Sequence, residues 1–142
     1  MSQYSNLNWQ YPGLADVGSY QVSAIPFVTG GITVSSTPIQ ITFPSVTSWI
    51  YVVHHDNDTL RVGFSANGVS GSNYFLVPGA GTNALSQTPV LPVKCSSIFL
   101  MRDNAADVSD VSIFAGLTSI LTNELANSGP KGTNWSGSSG IG

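Results

Sequence analysis

Apolar and polar positions along the chain recur with a period nearer two than 3.6, in short runs broken by Gly, Pro, Asn and Asp. Eight runs read as strands: Tyr20–Val28, Ile39–Phe43, Ser48–His54, Thr59–Ser65, Asn73–Val77, Val90–Lys94, Ile98–Arg102 and Val108–Ala115. Leu60, Val62 and Phe64 share one face while Arg61 points away, as on a half-buried strand. The run Trp49-Ile50-Tyr51-Val52-Val53 is apolar on both faces and predicts a central strand. Seven aromatics in these runs, Trp49, Tyr51, Phe64, Tyr74, Phe75, Phe99 and Phe114, are expected in the core. Pro26 demotes part of the first strand to an edge or a bulge. The short His55–Asp58 segment predicts an antiparallel hairpin between its flanking strands. Helix-like spacing occurs only in Leu117–Ala126, which is short. The fold expected is all-β: a single eight-stranded antiparallel jelly roll, with an immunoglobulin-like sandwich as the alternative.

The ends differ from this middle. Residues 1–17 read as an N-terminal arm, in which Tyr4, Trp9 and Tyr11 sit among polar residues without a period. Residues 18–122 form the expected jelly-roll domain, and residues 123–142, rich in Gly and Ser, a flexible C-terminal tail. For Trp9, Tyr11 and Trp135 in these ends, contact with a partner is preferred over packing within the chain.

Composition sharpens the picture. Of 142 residues, 8% are charged, against about 25% in an ordinary soluble domain. The polar surface comes instead from 21 Ser, 11 Thr and 10 Asn. With 42% hydrophobic residues and a net charge of -3, charge-driven disorder is excluded. So little charge protects weakly against association, so much of the surface is expected to meet other protein. Arg61, Lys94, Arg102 and Lys131 are scattered, so no nucleic-acid partner is expected. The opening MSQYSNLNWQYPGL has neither a basic start nor an apolar run, so no secretory signal is expected. No stretch approaches about 20 apolar residues, so no direct membrane insertion is expected either.

Candidate chemistry is thin. His54-His55-Asp56-Asn57-Asp58 holds two imidazoles and two carboxylates, but neighbours on a strand face opposite ways, and Asx residues are ordinary turn formers. A turn is preferred to a metal site. Gly68-Val69-Ser70-Gly71-Ser72 lacks the second Gly of a nucleophile elbow and reads as a loop. Gly79-Ala80-Gly81 has no Lys and no following helix for phosphate binding. Cys95, the single cysteine, forms no internal disulfide or Cys-based zinc site and is expected to be a small buried side chain. No catalytic residue, cofactor or metal is expected, and the protein is not expected to be an enzyme.

Three phrases carry a resemblance: Gly18-Ser19-Tyr20-Gln21-Val22-Ser23-Ala24-Ile25-Pro26-Phe27-Val28; Leu60 through Val69 followed by Asn73-Tyr74-Phe75; and Phe114-Ala115-Gly116-Leu117-Thr118-Ser119-Ile120. In that order and spacing, over about residues 18–120, the chain resembles the single jelly-roll penton or minor capsid proteins of large icosahedral DNA viruses and virophages. The major capsid protein of those viruses is a double jelly roll. The resemblance implies a structural protein of the virion, made in the host cytoplasm. Its partners would be itself, as a homopentamer at each fivefold vertex, and the surrounding major and minor capsid proteins. It implies no catalytic residues. Two rivals stay open: another minor or cement capsid protein, and a β-sandwich carbohydrate-binding attachment module.

Overall fold

The computed structural model describes residues 24–81, 84–104, 106–128 and 133–142. Eight strands are present among the described residues: β1 (Ile25–Val34), β2 (Ile39–Thr42), β3 (Thr47–His54), β4 (Leu60–Gly63), β5 (Tyr74–Val77), β6 (Ser86–Gln87), β7 (Ser97–Arg102) and β8 (Val108–Leu117). They form two four-stranded sheets, ordered β1-β8-β3-β6 and β2-β7-β4-β5, with every pairing antiparallel. We call them the β1 sheet and the β2 sheet. Successive strands cross from one sheet to the other except β4 and β5, which pair within the β2 sheet, as in a jelly roll. The expected all-β fold is therefore the fold observed.

The strands form because one parity of each run is aliphatic and can be buried between the sheets. Ile50 and Val52 from β3 meet Val111, Ile113 and Ala115 from β8, and across the sandwich lie Leu60, Val62, Ile98, Leu100 and Val77. Each such side chain contributes roughly 1.5–3 kcal/mol by leaving water. Among the aromatics, only Phe43 is fully buried in the described residues. Of the seven expected in the core, Phe64 and Phe75 pack against it while half-buried. Trp49, Tyr51, Tyr74, Phe99 and Phe114 point to the outer faces. A strand with Ile50 and Val52 inward must turn Trp49 and Tyr51 outward, because side chains alternate.

Other expectations are corrected by non-local pairing. β3 and β4 lie in different sheets, so His55–Asp58 is a connection between sheets and not a hairpin. Val90–Lys94 is not a strand: Leu91 makes one bridge to Ile50, while Pro89 and Pro92 remove donors on either side. The short β6 pairs with β3 instead. β1 is an edge strand, as Pro26 requires, but it runs on to Val34 through an irregularity at Gly30-Gly31, where Gly31 has φ 65. The Gly68–Ser72 segment overlaps one helical turn, α1 (Ala66–Ser70), capped by Ser65.

The described part of residues 123–142 carries secondary structure. A second helix, α2 (Asn123–Ser128), follows β8, and a 3-10 turn spans Thr133–Trp135. Val46, Ile120 and Leu125 form a second apolar cluster against which Trp135 packs. Asn134 is 3% exposed, and its side chain bridges the ends of two strands, β4 and β7. Its Nδ2 donates to the carbonyls of Phe64 (2.8 Å) and Ser97 (3.0 Å), and its Oδ1 accepts from Ser96 N–H (2.9 Å). Asn tolerates the left-handed φ of 60 found here better than most residues. Ser65 Oγ donates to the Ile141 carbonyl at 2.7 Å, tying the last residues of the sequence to the start of α1.

Candidate functional site

The His54–Asp58 segment is built as a turn. His54 is fully buried on the inner parity of β3, and its Nδ1 accepts from the Asp56 N–H at 3.2 Å. His55 is exposed, so the two imidazoles do not converge. Asp56 Oδ1 accepts from Asp58 N–H at 3.1 Å, while Oδ2 accepts from Ser109 Oγ at 2.6 Å and Ser109 N–H at 2.8 Å. Bonds from Ser109, side chain first, pull the Asp56 carboxyl down to about 2. The carboxylate thus fastens the connection between the sheets to the start of β8. No group of three metal-ligating side chains occurs among the described residues.

Cys95 is equally closed to chemistry. It is buried, with Sγ 3.3 Å from Thr47 Oγ1, and burial pushes its thiol up to about 11. A thiol held protonated at neutral pH is a poor nucleophile. Cys95 lines a cleft of about 330 Å³ beneath the C-terminal residues, with Phe64, Val93, Trp135 and Ile141. Trp135, expected to meet a partner, therefore spends part of its surface inside its own chain. Trp9 and Tyr11 lie outside the described residues.

The feature with the character of an interaction surface is the outer face of the β1 sheet. Val28, Phe114 and Tyr51 are paired across β1, β8 and β3, and the next row is Pro26, Gly116 and Trp49. Val28 is 68% exposed and Phe114 40%. Trp49 and Phe114 meet edge to face, with ring centroids 4.8 Å apart. The Tyr51 hydroxyl donates to Gln87 Oε1 on β6. The only charged side chain on these four strands is Asp110, near the start of β8. Gly116 permits this surface: a Cβ there would lie 2.3 Å from Trp49 Nε1 and 2.6 Å from Ala24 Cβ, so the indole lies over bare backbone. Sequence reasoning missed the face because both parities of β3 are apolar. The available signal was size: the aromatics share one parity and the aliphatics Ile50 and Val52 the other.

The β2 sheet presents a different outer face. Arg61 on β4 pairs with Asp103 at 2.7 Å and lies over the Tyr74 ring, 4.3 Å from its centroid. Arg102 pairs with Asp107 at 2.7 Å. No helix among the described residues is long and apolar enough to cross a membrane.

No family model and no curated protein matches this chain. Among solved structures, a match to a protein of the disulfide-linked pili that form Bacillus endospore appendages has a TM-score of 0.39 and 14% identity. It covers 75% of this chain and 100% of the other, and at that TM-score it carries no weight for function.

Proposed function

We propose that the chain is a structural protein of a viral capsid, a penton that assembles as a homopentamer and closes the fivefold vertices of an icosahedral shell. The observation that carries the reading is the order of eight strands in two sheets, β1-β8-β3-β6 and β2-β7-β4-β5. It matches the single jelly roll that the resemblance over residues 18–120 implies. A fold hosts many functions, so the capsid assignment itself rests on that resemblance. The outer face of the β1 sheet, where Asp110 is the sole charged side chain, adds support, because the centres of assembly interfaces are depleted of charge. A ring of five places each copy head to tail with the next, and fivefold closure stops further growth. The partners in this reading are the other four copies and the surrounding major and minor capsid proteins. The role needs no catalytic residue and no cofactor.

The test is native mass spectrometry of the purified chain across a concentration series. A closed pentamer is the expected species. A closed trimer would transfer the protein to another minor or cement position in the shell. Protection of residues 65–72 from hydrogen exchange by a soluble glycan would replace the capsid reading with an attachment module.

A further inference from the structure

We propose that Asn67-Gly68 is a site of self-modification, a succinimide-forming pair that the docked C-terminal turn holds unreactive and that, once converted, keeps the turn from docking again. This goes beyond the vertex assignment and does not depend on it.

The first ground is the pair itself, the sole Asn-Gly in the sequence. Glycine has no Cβ, so its nitrogen is open to the neighbouring carboxamide and its backbone is free to take the bend that attack requires. Gly68 N attacks Asn67 Cγ and gives up its proton to solvent. The new N–Cγ bond forms, the Cγ–NH2 bond breaks and ammonia leaves. Water then opens the ring at either carbonyl, leaving aspartate or isoaspartate at position 67.

The second ground is how the pair is held. The Asn67 side chain is exposed, but Gly68 is buried and its N–H donates to Ser65 Oγ at 2.8 Å. The Asn67 carbonyl accepts from Gly71 N–H at 2.9 Å, and the Gly68 carbonyl accepts from Asn73 N–H at 3.0 Å. The helical backbone of α1 holds the nitrogen away from the carboxamide, so reaction needs the helix to open. A single helical turn has little stability of its own, so what packs on it decides how often it opens.

The third ground is what packs there. Residues 137–142 close on themselves: Gly137 N–H donates to the Gly142 carbonyl at 3.0 Å, and Gly142 N–H to the Ser138 carbonyl at 3.1 Å. This turn sits on Gly68. Ser65 Oγ, which receives the Gly68 N–H, passes its own proton to the Ile141 carbonyl at 2.7 Å. A Cβ at Gly68 would collide with that same carbonyl oxygen, and a Cβ at Gly142 would lie 2.7 Å from Gly68 Cα. Backbone meets backbone with no space between, and isoaspartate adds a carbon to the main chain beside the contact.

The experiment incubates the full chain at neutral pH and maps position 67 by peptide mass spectrometry. It reads the exchange of NH2 for OH and resolves isoaspartate by chromatography. Gly142→Val evicts the turn without altering α1, and is expected to raise the conversion rate several-fold, towards that of the parent unfolded in urea. Gly81→Ala, whose Cβ meets nothing within 4 Å, should keep the parental rate. Converted chains are then separated and followed by hydrogen exchange. Amides of residues 134–142 should exchange several-fold faster than in unconverted chains, while the Val62 amide on β4 stays protected. A folded parent that converts as fast as in urea would overturn the inference. So would a parental rate in Gly142→Val, or parental protection of residues 134–142 in converted chains.

Discussion

The two outer faces of this sandwich solve the same problem in opposite ways. On the β2 sheet, exposed strand positions are tied by charge: Arg61 reaches Asp103 and covers the Tyr74 ring, and Asn134 latches the ends of β4 and β7. On the β1 sheet the equivalent positions are Val28, Phe114, Tyr51 and Trp49, held by ring contacts and by one bond to Gln87. A face with ion pairs is complete in water. A face of rings without ion pairs rests on the aliphatic core beneath it, and it gains by being covered. The difference teaches that solvent exposure here is not a single property: one outer face carries ion pairs and the other carries apolar side chains and rings.

The largest expected effect comes from breaking the latch that closes the β2 sheet. Asn134→Ala leaves the Ser96 N–H and the Phe64 and Ser97 carbonyls without their partner, and should cost about 3 kcal/mol in urea unfolding. Faster amide exchange at Ser96 would localise the loss; an unchanged rate there would mean the latch is not what holds this end. Next is the β1 side. Gly116→Ala drives a methyl into the Trp49 ring and should cost about 2 kcal/mol with a shift in tryptophan emission. A mutant as stable as the parent would show that the indole is not fixed over β8. Removing the charged tie is a smaller change: Arg61→Ala should cost about 1 kcal/mol, partly reproduced in the parent by high salt.

Acid should act through Asp56. Its folded pKa is depressed, so its contribution is fully present above the ordinary value of 3.8 and is lost as pH falls through about 2. Asp56→Asn should remove about 1 kcal/mol at neutral pH and flatten the loss of stability between about pH 4 and pH 2. The smallest stability change is expected for Val28→Lys, within about 0.5 kcal/mol, since the side chain is mostly in water already. Its readout is association: a charge on the β1 face should lower self-association in sedimentation, whereas Leu76→Lys on the β2 sheet should not.

Local pattern reached the strands well where one parity was apolar and the other polar, as in β4 with Leu60 and Val62 inward and Arg61 outward. It failed where both parities were apolar, in β3, because period two then fixes a strand without fixing which face is inside. It failed again at Val90–Lys94, where β-favouring residues sit between prolines that cannot pair. At the C-terminus, Gly and Ser composition concealed Asn134, whose three bonds all go to residues far off in sequence.

By itself, then, the sequence determined an all-β chain of short strands, a buried unreactive cysteine and a turn at His55–Asp58, because alternation, burial preference and Asx chemistry act between near neighbours. The tertiary structure alone decided that β3 and β4 part into different sheets, that the rings of β3 and β8 face outward, and that the C-terminal residues dock. Those outcomes depend on pairings between residues tens of positions apart, and such pairings have an energy only once both strands are in place.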